Sequence, residues 1–264
     1  MLLDTHAHLD FPDYANDLPE VLQRAEAAGV SQLITISTSL SGSSRAVALS
    51  EKYPQVRASI GVHPCYVEES DADVLPTLRA LAAHSSVVAI GETGLDYHRP
   101  AQDAATEAGR ANRAKQAVFF EQQLELALET GLNVVVHQRD SWDDTLAILR
   151  PYSGRLRAVF HCFGGSLDQA HSLLDLGFNV SFTGIVTFKN AAIARETATK
   201  LPRGSFFLET DCPFLAPVPH RGQRCEPAHT RITAEFLAAL RKESTETLAE
   251  HTSAAANDFF RRSA

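Results

Sequence analysis

Residues 2–8 read Leu-Leu-Asp-Thr-His-Ala-His, an apolar start that runs into two histidines. A short apolar run of this kind predicts a buried strand. The end of that run separates two α/β architectures. A doubly wound open sheet carries a glycine-rich phosphate turn after its first strand. Here the run ends in His6-Ala7-His8, with no GxGxxG and no Walker lysine loop. Seven more runs of the same character come after Leu2–His6. They are Gln32–Ser37, Arg57–Val62, Val87–Gly91, Asn133–His137, Arg157–His161, Asn179–Phe182 and Ser205–Glu209. Their middles are Val, Ile, Leu and Phe with little polar alternation, as in parallel strands covered on both faces.

Helix-like segments separate the runs. Leu18–Ala28 and Gln116–Thr130 carry apolar residues at helical spacing, and Leu167–Leu176 and Ile193–Leu201 do so more weakly. Gly29, Gly131 and Gly177 come directly after such segments, where a helix-terminating glycine is expected. Eight strand-then-helix units predict a closed (β/α)8 TIM-like barrel, with residues 1–264 as one domain. Two stretches break the alternation: 96–114, and the proline-rich 211–229. Both fall where a barrel's active-face loops lie. Ile232–Leu240 and Glu246–Phe260 read as closing helices.

Composition narrows the function classes. The chain has 264 residues, 44% apolar and 21% charged, which excludes a disordered, collagenous or coiled-coil protein. Its 24 basic and 32 acidic residues give a net charge of −8. A broad basic surface for duplex DNA is therefore not expected, although a local basic cleft is compatible. The longest apolar run, Phe236 to Leu240, is far short of the ~20 residues that span a bilayer. The opening MLLDTHAHLD has no basic n-region of a signal peptide. Cys65, Cys162, Cys212 and Cys225 form no CxxC, which suggests reduced thiols and a cytoplasmic protein.

The strand ends carry the chemistry. His6 and His8, His63, Glu92, His137, His161 and Asp211 all stand at or just beyond predicted strand C-termini. In a barrel those ends open on one mouth. His6 and His8, two apart on a strand, point to the same side and would grip one metal ion. His137 and His161 would add two nitrogens, Glu92 has two oxygens and could bridge two ions, and Asp211 could ligate while accepting a proton from water. Taken singly, each has a plainer use: a hydrogen-bonded core histidine, a helix-capping glutamate, a turn-starting aspartate. Their recurrence at successive strand ends favours a metal site. Nitrogen and carboxylate donors suit Zn, Mn, Fe or Co better than Ca. Cys162, next to His161, would face away from the mouth by strand alternation, so a buried spectator thiol is expected.

The chain resembles the TatD-type metal-dependent deoxyribonucleases, a branch of the amidohydrolase-like barrels. The resemblance rests on DTHAHLD (4–10), GVHP (61–64), GETGLDYHR (91–99), VVVHQRD (134–140), FHCFGGS (160–166), LETDCPFLAP (208–217) and HRGQRCEP (220–227). It implies two divalent ions, drawn from Zn, Mn, Mg or Co. His6, His8, Glu92 and Asp211 would hold one, and Glu92, His137 and His161 the second. Asp211 and Glu92 would be the catalytic carboxylates, and His63 would touch the substrate phosphate. The implied activity is hydrolysis of DNA phosphodiester bonds by a metal-activated water, commonly as a 3′-exonuclease. The acidic total suits single-stranded or frayed DNA ends, with no membrane and no obligate protein partner. Departures lie at Cys65, Gly164 and Cys225, near the mouth.

Arg139, two residues after His137, and Arg221, with His220 and Arg224 in the last loop, are candidate phosphate holders. Phe163 and Phe214 could stack a base or belong to the core. An alternative on the same barrel is a metal-dependent hydrolase of a small ester, amide or aminoacyl ester.

Overall fold

The structure, a computed structural model, describes residues 1–70, 73–98 and 102–262. Eight parallel strands run in chain order around one sheet: β1 Leu2–Ala7, β2 Val30–Ile36, β3 Val56–Ile60, β4 Val87–Asp96, β5 Asn133–Arg139, β6 Ala158–Phe160, β7 Asn179–Phe182 and β8 Phe206–Leu208. The helices between and after them are α1 Leu18–Ala27, α2 Leu40–Lys52, α3 Leu75–Ala82, α4 Glu107–Thr130, α5 Trp142–Leu149, α6 Leu167–Asp175, α7 Ala192–Lys200, α8 Thr230–Arg241 and α9 Thr245–Phe259. All eight sequence-predicted strands are present, and the barrel expectation holds.

The sheet comes round on itself just past β8. Asp211 N–H donates to the His6 carbonyl at 2.8 Å, and His8 N–H to the Cys212 carbonyl at 2.8 Å. Asp4 completes this seam. Its carboxyl accepts from Thr210 N–H at 3.0 Å and from the Thr210 hydroxyl at 2.6 Å. Burial is the main reason the Asp4 pKa is raised to about 7.

Two apolar layers hold the barrel. Outward-facing strand residues such as Ile60, Val134, Val136 and Phe160 pack under the helices. Leu3, Ile34, Val88, Val135, Val159 and Phe207 join Phe259, the last residue of α9, and Phe260 just after it, which close the end opposite the histidines. No helix among the described residues is long and apolar enough to cross a membrane.

Three helices absent from the sequence reading are α2, α3 and α5. The Ser-Gly-Ser-Ser stretch of α2 resembles a loop, but the Ser39 side chain caps the helix by accepting from Gly42 N–H at 3.1 Å. Helix α4 begins at Glu107, inside the stretch predicted to be irregular. Its early inner face is polar: Asn112 and Gln116 are buried there. Residues 99–101 of that stretch, with Arg99 of the GETGLDYHR motif, lie outside the described residues.

Gly91 and Gly94 in β4 have φ of +140° and +139°. A Cβ on Gly94 would lie 2.0 Å from the His137 carbonyl oxygen. Gly94→Ala is therefore expected to cost about 3 kcal/mol of stability, read as a lower denaturant midpoint. An unchanged midpoint would mean that β4 and β5 can separate there freely.

Candidate metal centre

The mouth of the barrel gathers the predicted residues. β1 delivers His6 and, just beyond it, His8; β4 delivers Glu92 and β5 His137. His63, His161 and Asp211 stand just past the ends of β3, β6 and β8. Asp211 sits at φ +60°, a left-handed conformation that aspartate tolerates, and its backbone is held there by the seam bond to His6.

Glu92, 2% exposed, lies at the centre. Each of its oxygens faces a different set of groups. Oε2 lies 3.3 Å from His6 Nε2 and 3.9 Å from His8 Nε2. Asp211 Oδ1 closes that group, 3.6 Å from His6 Nε2 and 3.3 Å from His8 Nε2. Oε1 lies 2.7 Å from His137 Nδ1, 2.7 Å from His161 Nε2 and 3.5 Å from His63 Nε2. Both nitrogens of His6 are buried without a hydrogen-bond partner. An orphaned imidazole beside two carboxylates is costly unless something fills the gap. Nitrogen and carboxylate atoms converging in this way fit a divalent cation.

The far nitrogen of each imidazole shows which nitrogen is free to ligate. His8 Nδ1 lies 2.9 Å from the Ile36 carbonyl, which can only accept, so Nε2 keeps its lone pair. His137 Nε2 lies 3.0 Å from Asp96 Oδ2, which leaves Nδ1 free. His161 Nδ1 faces Glu209 Oε1 at 3.7 Å, an ion-pair distance but too long for a hydrogen bond. His63 is the reverse case. Its Nδ1 accepts from Cys65 N–H at 3.0 Å, so in the neutral ring Nε2 carries the proton and points into the centre as a donor.

Charge overrides burial at most of these groups. Burial alone would raise Glu92, but the imidazoles around it, His161 first, hold it well below the ordinary carboxylate range. Burial would likewise raise Asp211, and the His8 hydrogen bond with the charges of His6 and His161 lowers it instead. Burial opposes charge on His161, yet Glu92 and Glu209 lift it well above the usual imidazole value. For His63 burial wins and pushes the pKa down to about 3, so the ring is neutral near pH 7.

The other sequence candidates divide. Arg139 is exposed, forms no ion pair among the described residues and lines the same cavity of about 530 Å³ as the cluster. Arg221 stands elsewhere, its guanidinium 3.9 Å above the Phe188 ring. Arg224 is tied to Asp17 and Glu226 at 2.6 and 2.9 Å and forms no free basic rim. Phe163 is buried, whereas Phe214 is 50% exposed at the cavity wall. Cys162 departs from the strand-alternation expectation. β6 ends at Phe160, Cys162 turns to φ +49°, and it lines the cavity with His161. Burial pushes its thiol up to about 12, so it is no nucleophile near neutral pH. None of the four cysteines is in a disulfide.

Three groups carry no role in the sequence reading. Asp96 and Glu209 back two of the histidines, and Phe11 stacks on His8 with centroids 4.8 Å apart. Asp96 and Glu209 stand at strand ends too, which was the available signal.

Known proteins share this arrangement of chain. Residues 3–261 match the family described as TatD related DNase. The metal-dependent hydrolase YabD of Bacillus subtilis is 37% identical over 262 residues, covering 99% of each chain. The metal-dependent hydrolase YcfH of Escherichia coli K12 is 40% identical over 255 residues, covering 95% of this chain and 92% of the relative. The crystal structure of the TatD homologue YjjV from Escherichia coli K12 superposes with a TM-score of 0.91 at 30% identity, covering 99% of this chain and 98% of the other. With a family match over nearly its whole length and relatives that are metal-dependent hydrolases, the chain belongs to the TatD family of metal-dependent hydrolases.

Proposed function

We propose that the chain hydrolyses phosphodiester bonds at DNA ends, as a 3′-exonuclease on single-stranded or frayed strands, with two divalent ions. The observation that carries the metal reading is Glu92, whose two oxygens face two separate sets of ligand atoms. His6, His8, Glu92 and Asp211 would hold one ion, and Glu92, His137 and His161 the other. Zn, Mn, Co and Mg are the candidates. Bound there, such ions lower the pKa of water and neutralise charge on a phosphate.

The chain's own groups do the rest. Asp211 is the base. Its side chain is 15% exposed against 2% for Glu92, so of these two cavity-lining carboxylates it is the more open to water, and its lowered pKa keeps it ionised. It orients the attacking water and takes its proton. His63 Nε2–H donates to a phosphate oxygen, and Arg139, which has no ion pair among the described residues, holds the same phosphate. Phe214 and Phe11 offer faces for a terminal base. A cavity of about 530 Å³ is of nucleotide size. Arg221, stacked on Phe188, would meet only a strand that extends past this cavity. The family description supports DNA as substrate, and the net charge of −8 argues against tight duplex binding. Six of the eight strands contribute to the mouth, so the whole chain is read as one catalytic unit. Its four thiols, none of them in a disulfide, are in keeping with the cytoplasm.

The test is metal-stripped protein given 3′-labelled or 5′-labelled single-stranded DNA, with Mg, Mn, Co or Zn added in turn. Metal-dependent release of nucleotides from the 3′ end is the expected result. No cleavage by protein shown to bind metal would overturn the nuclease reading and move the substrate to a small ester, amide or aminoacyl ester. Arg139→Ala is expected to raise KM for DNA about tenfold with kcat nearly unchanged, as loss of one charged phosphate contact would. An unchanged KM would remove Arg139 from the substrate site.

A further inference from the structure

Of the two carboxylates behind the histidines, Asp96 is the better placed. It is the last residue of β4 and is 2% exposed. Gln116 clamps its backbone from α4. The Gln116 Oε1 accepts from Asp96 N–H at 2.9 Å, and Nε2 donates to the Asp96 carbonyl at 3.1 Å. Both carboxylate oxygens are committed as acceptors. Oδ1 accepts from His98 N–H at 2.9 Å, and Oδ2 accepts from His137 Nε2 at 3.0 Å, with Cys65 Sγ at 3.7 Å.

We propose that Asp96 is the positioning residue that fixes His137 as an Nδ1 ligand, and that it sets the affinity of one half of the metal centre only. The proposal rests on the two-ion reading above. In the other half, the corresponding contact to His8 comes from the Ile36 backbone carbonyl, which no side-chain substitution removes. The two halves therefore answer to different residues.

Asparagine is a poor substitute at this position. It has one accepting atom where two are used. With its oxygen toward His98 N–H, its NH2 faces His137 Nε2 and demands a lone pair there. The ring proton then moves to Nδ1 and points at Glu92, where a ligand is needed. Alanine leaves room for a water that can accept from Nε2, so Asp96→Ala should be the milder change. A merely structural role predicts the opposite order, because asparagine keeps the shape.

Metal-free wild type, Asp96→Asn and Asp96→Ala would be titrated with Co(II), counting bound ions by equilibrium dialysis and by visible absorption. Thermal unfolding of the same samples reports the fold. Wild type is expected to bind two ions. Asp96→Asn should hold one at wild-type affinity and the other about 10–100-fold more weakly, with Asp96→Ala in between. Two ions at wild-type affinity in Asp96→Asn, equal weakening of both ions, or a milder effect for asparagine than for alanine would each overturn the proposal. Fewer than two ions in wild type is a separate result. It overturns the two-ion reading first and takes this proposal with it.

Discussion

Glu92→Gln is expected to abolish turnover and to empty both halves of the centre. The side chain is buried among four imidazoles, from His6, His63, His137 and His161, each within 3.5 Å of one of its oxygens. Glutamine keeps the shape but has one accepting atom. Its NH2 must turn either to His6 and Asp211 or to His137 and His161. In both orientations a donor replaces a ligand, and the charge that the two proposed ions would share is gone. The loss in kcat should be on the order of 10³-fold or more, as for a residue that acts as a unit with its neighbours. Elemental analysis should find less than one ion per chain. A Glu92→Gln protein that keeps two ions and near-normal nucleotide release would end the bridging role.

Asp211→Asn tests the proposed base and should be a cleaner experiment. The backbone at 211 is left-handed, and asparagine adopts that conformation as readily as aspartate. The seam bond from Asp211 N–H to the His6 carbonyl does not involve the side chain. An amide oxygen can still ligate weakly, but it cannot take a proton from water. The expected outcome is a fall in kcat of roughly 10²- to 10⁴-fold with KM little changed. The half of the centre built on His137 and His161 should keep its ion. Wild-type kcat in Asp211→Asn would shift the base to another group.

The sequence was most legible where one side chain reports one environment. Interior parallel strands are mostly apolar, so all eight stood out. Histidines have little reason to sit at the ends of such strands, so the ligand candidates stood out with them. The helix α4 was only half visible. Its buried stripe runs through Asn112, Gln116 and Gln123, polar side chains that bond to neighbouring side chains and backbone and break apolar periodicity. Gln123 alone pairs with both Val62 N–H and the Val62 carbonyl, next to His63. Asp96 and Glu209 were ambiguous in another way. A carboxylate at a strand end looks the same in sequence whether it meets the metal or stands behind a histidine. The choice depends on a few ångströms set by barrel closure. Cys162 was misplaced because alternation holds only while a strand lasts, and β6 stops two residues earlier.

The seam has a consequence for how the molecule comes to life. Asp4 and Thr210, joined through two hydrogen bonds, are 206 residues apart in sequence. The donor groups of His6, His8 and Asp211 meet only when β1 and the segment just past β8 have found each other. Contacts of such long range are the slow ones to form. Activity is then an assay of chain completion: during refolding it should return only after helical signal has recovered. Two fragments divided in an exposed loop should be inert apart and active on recombination.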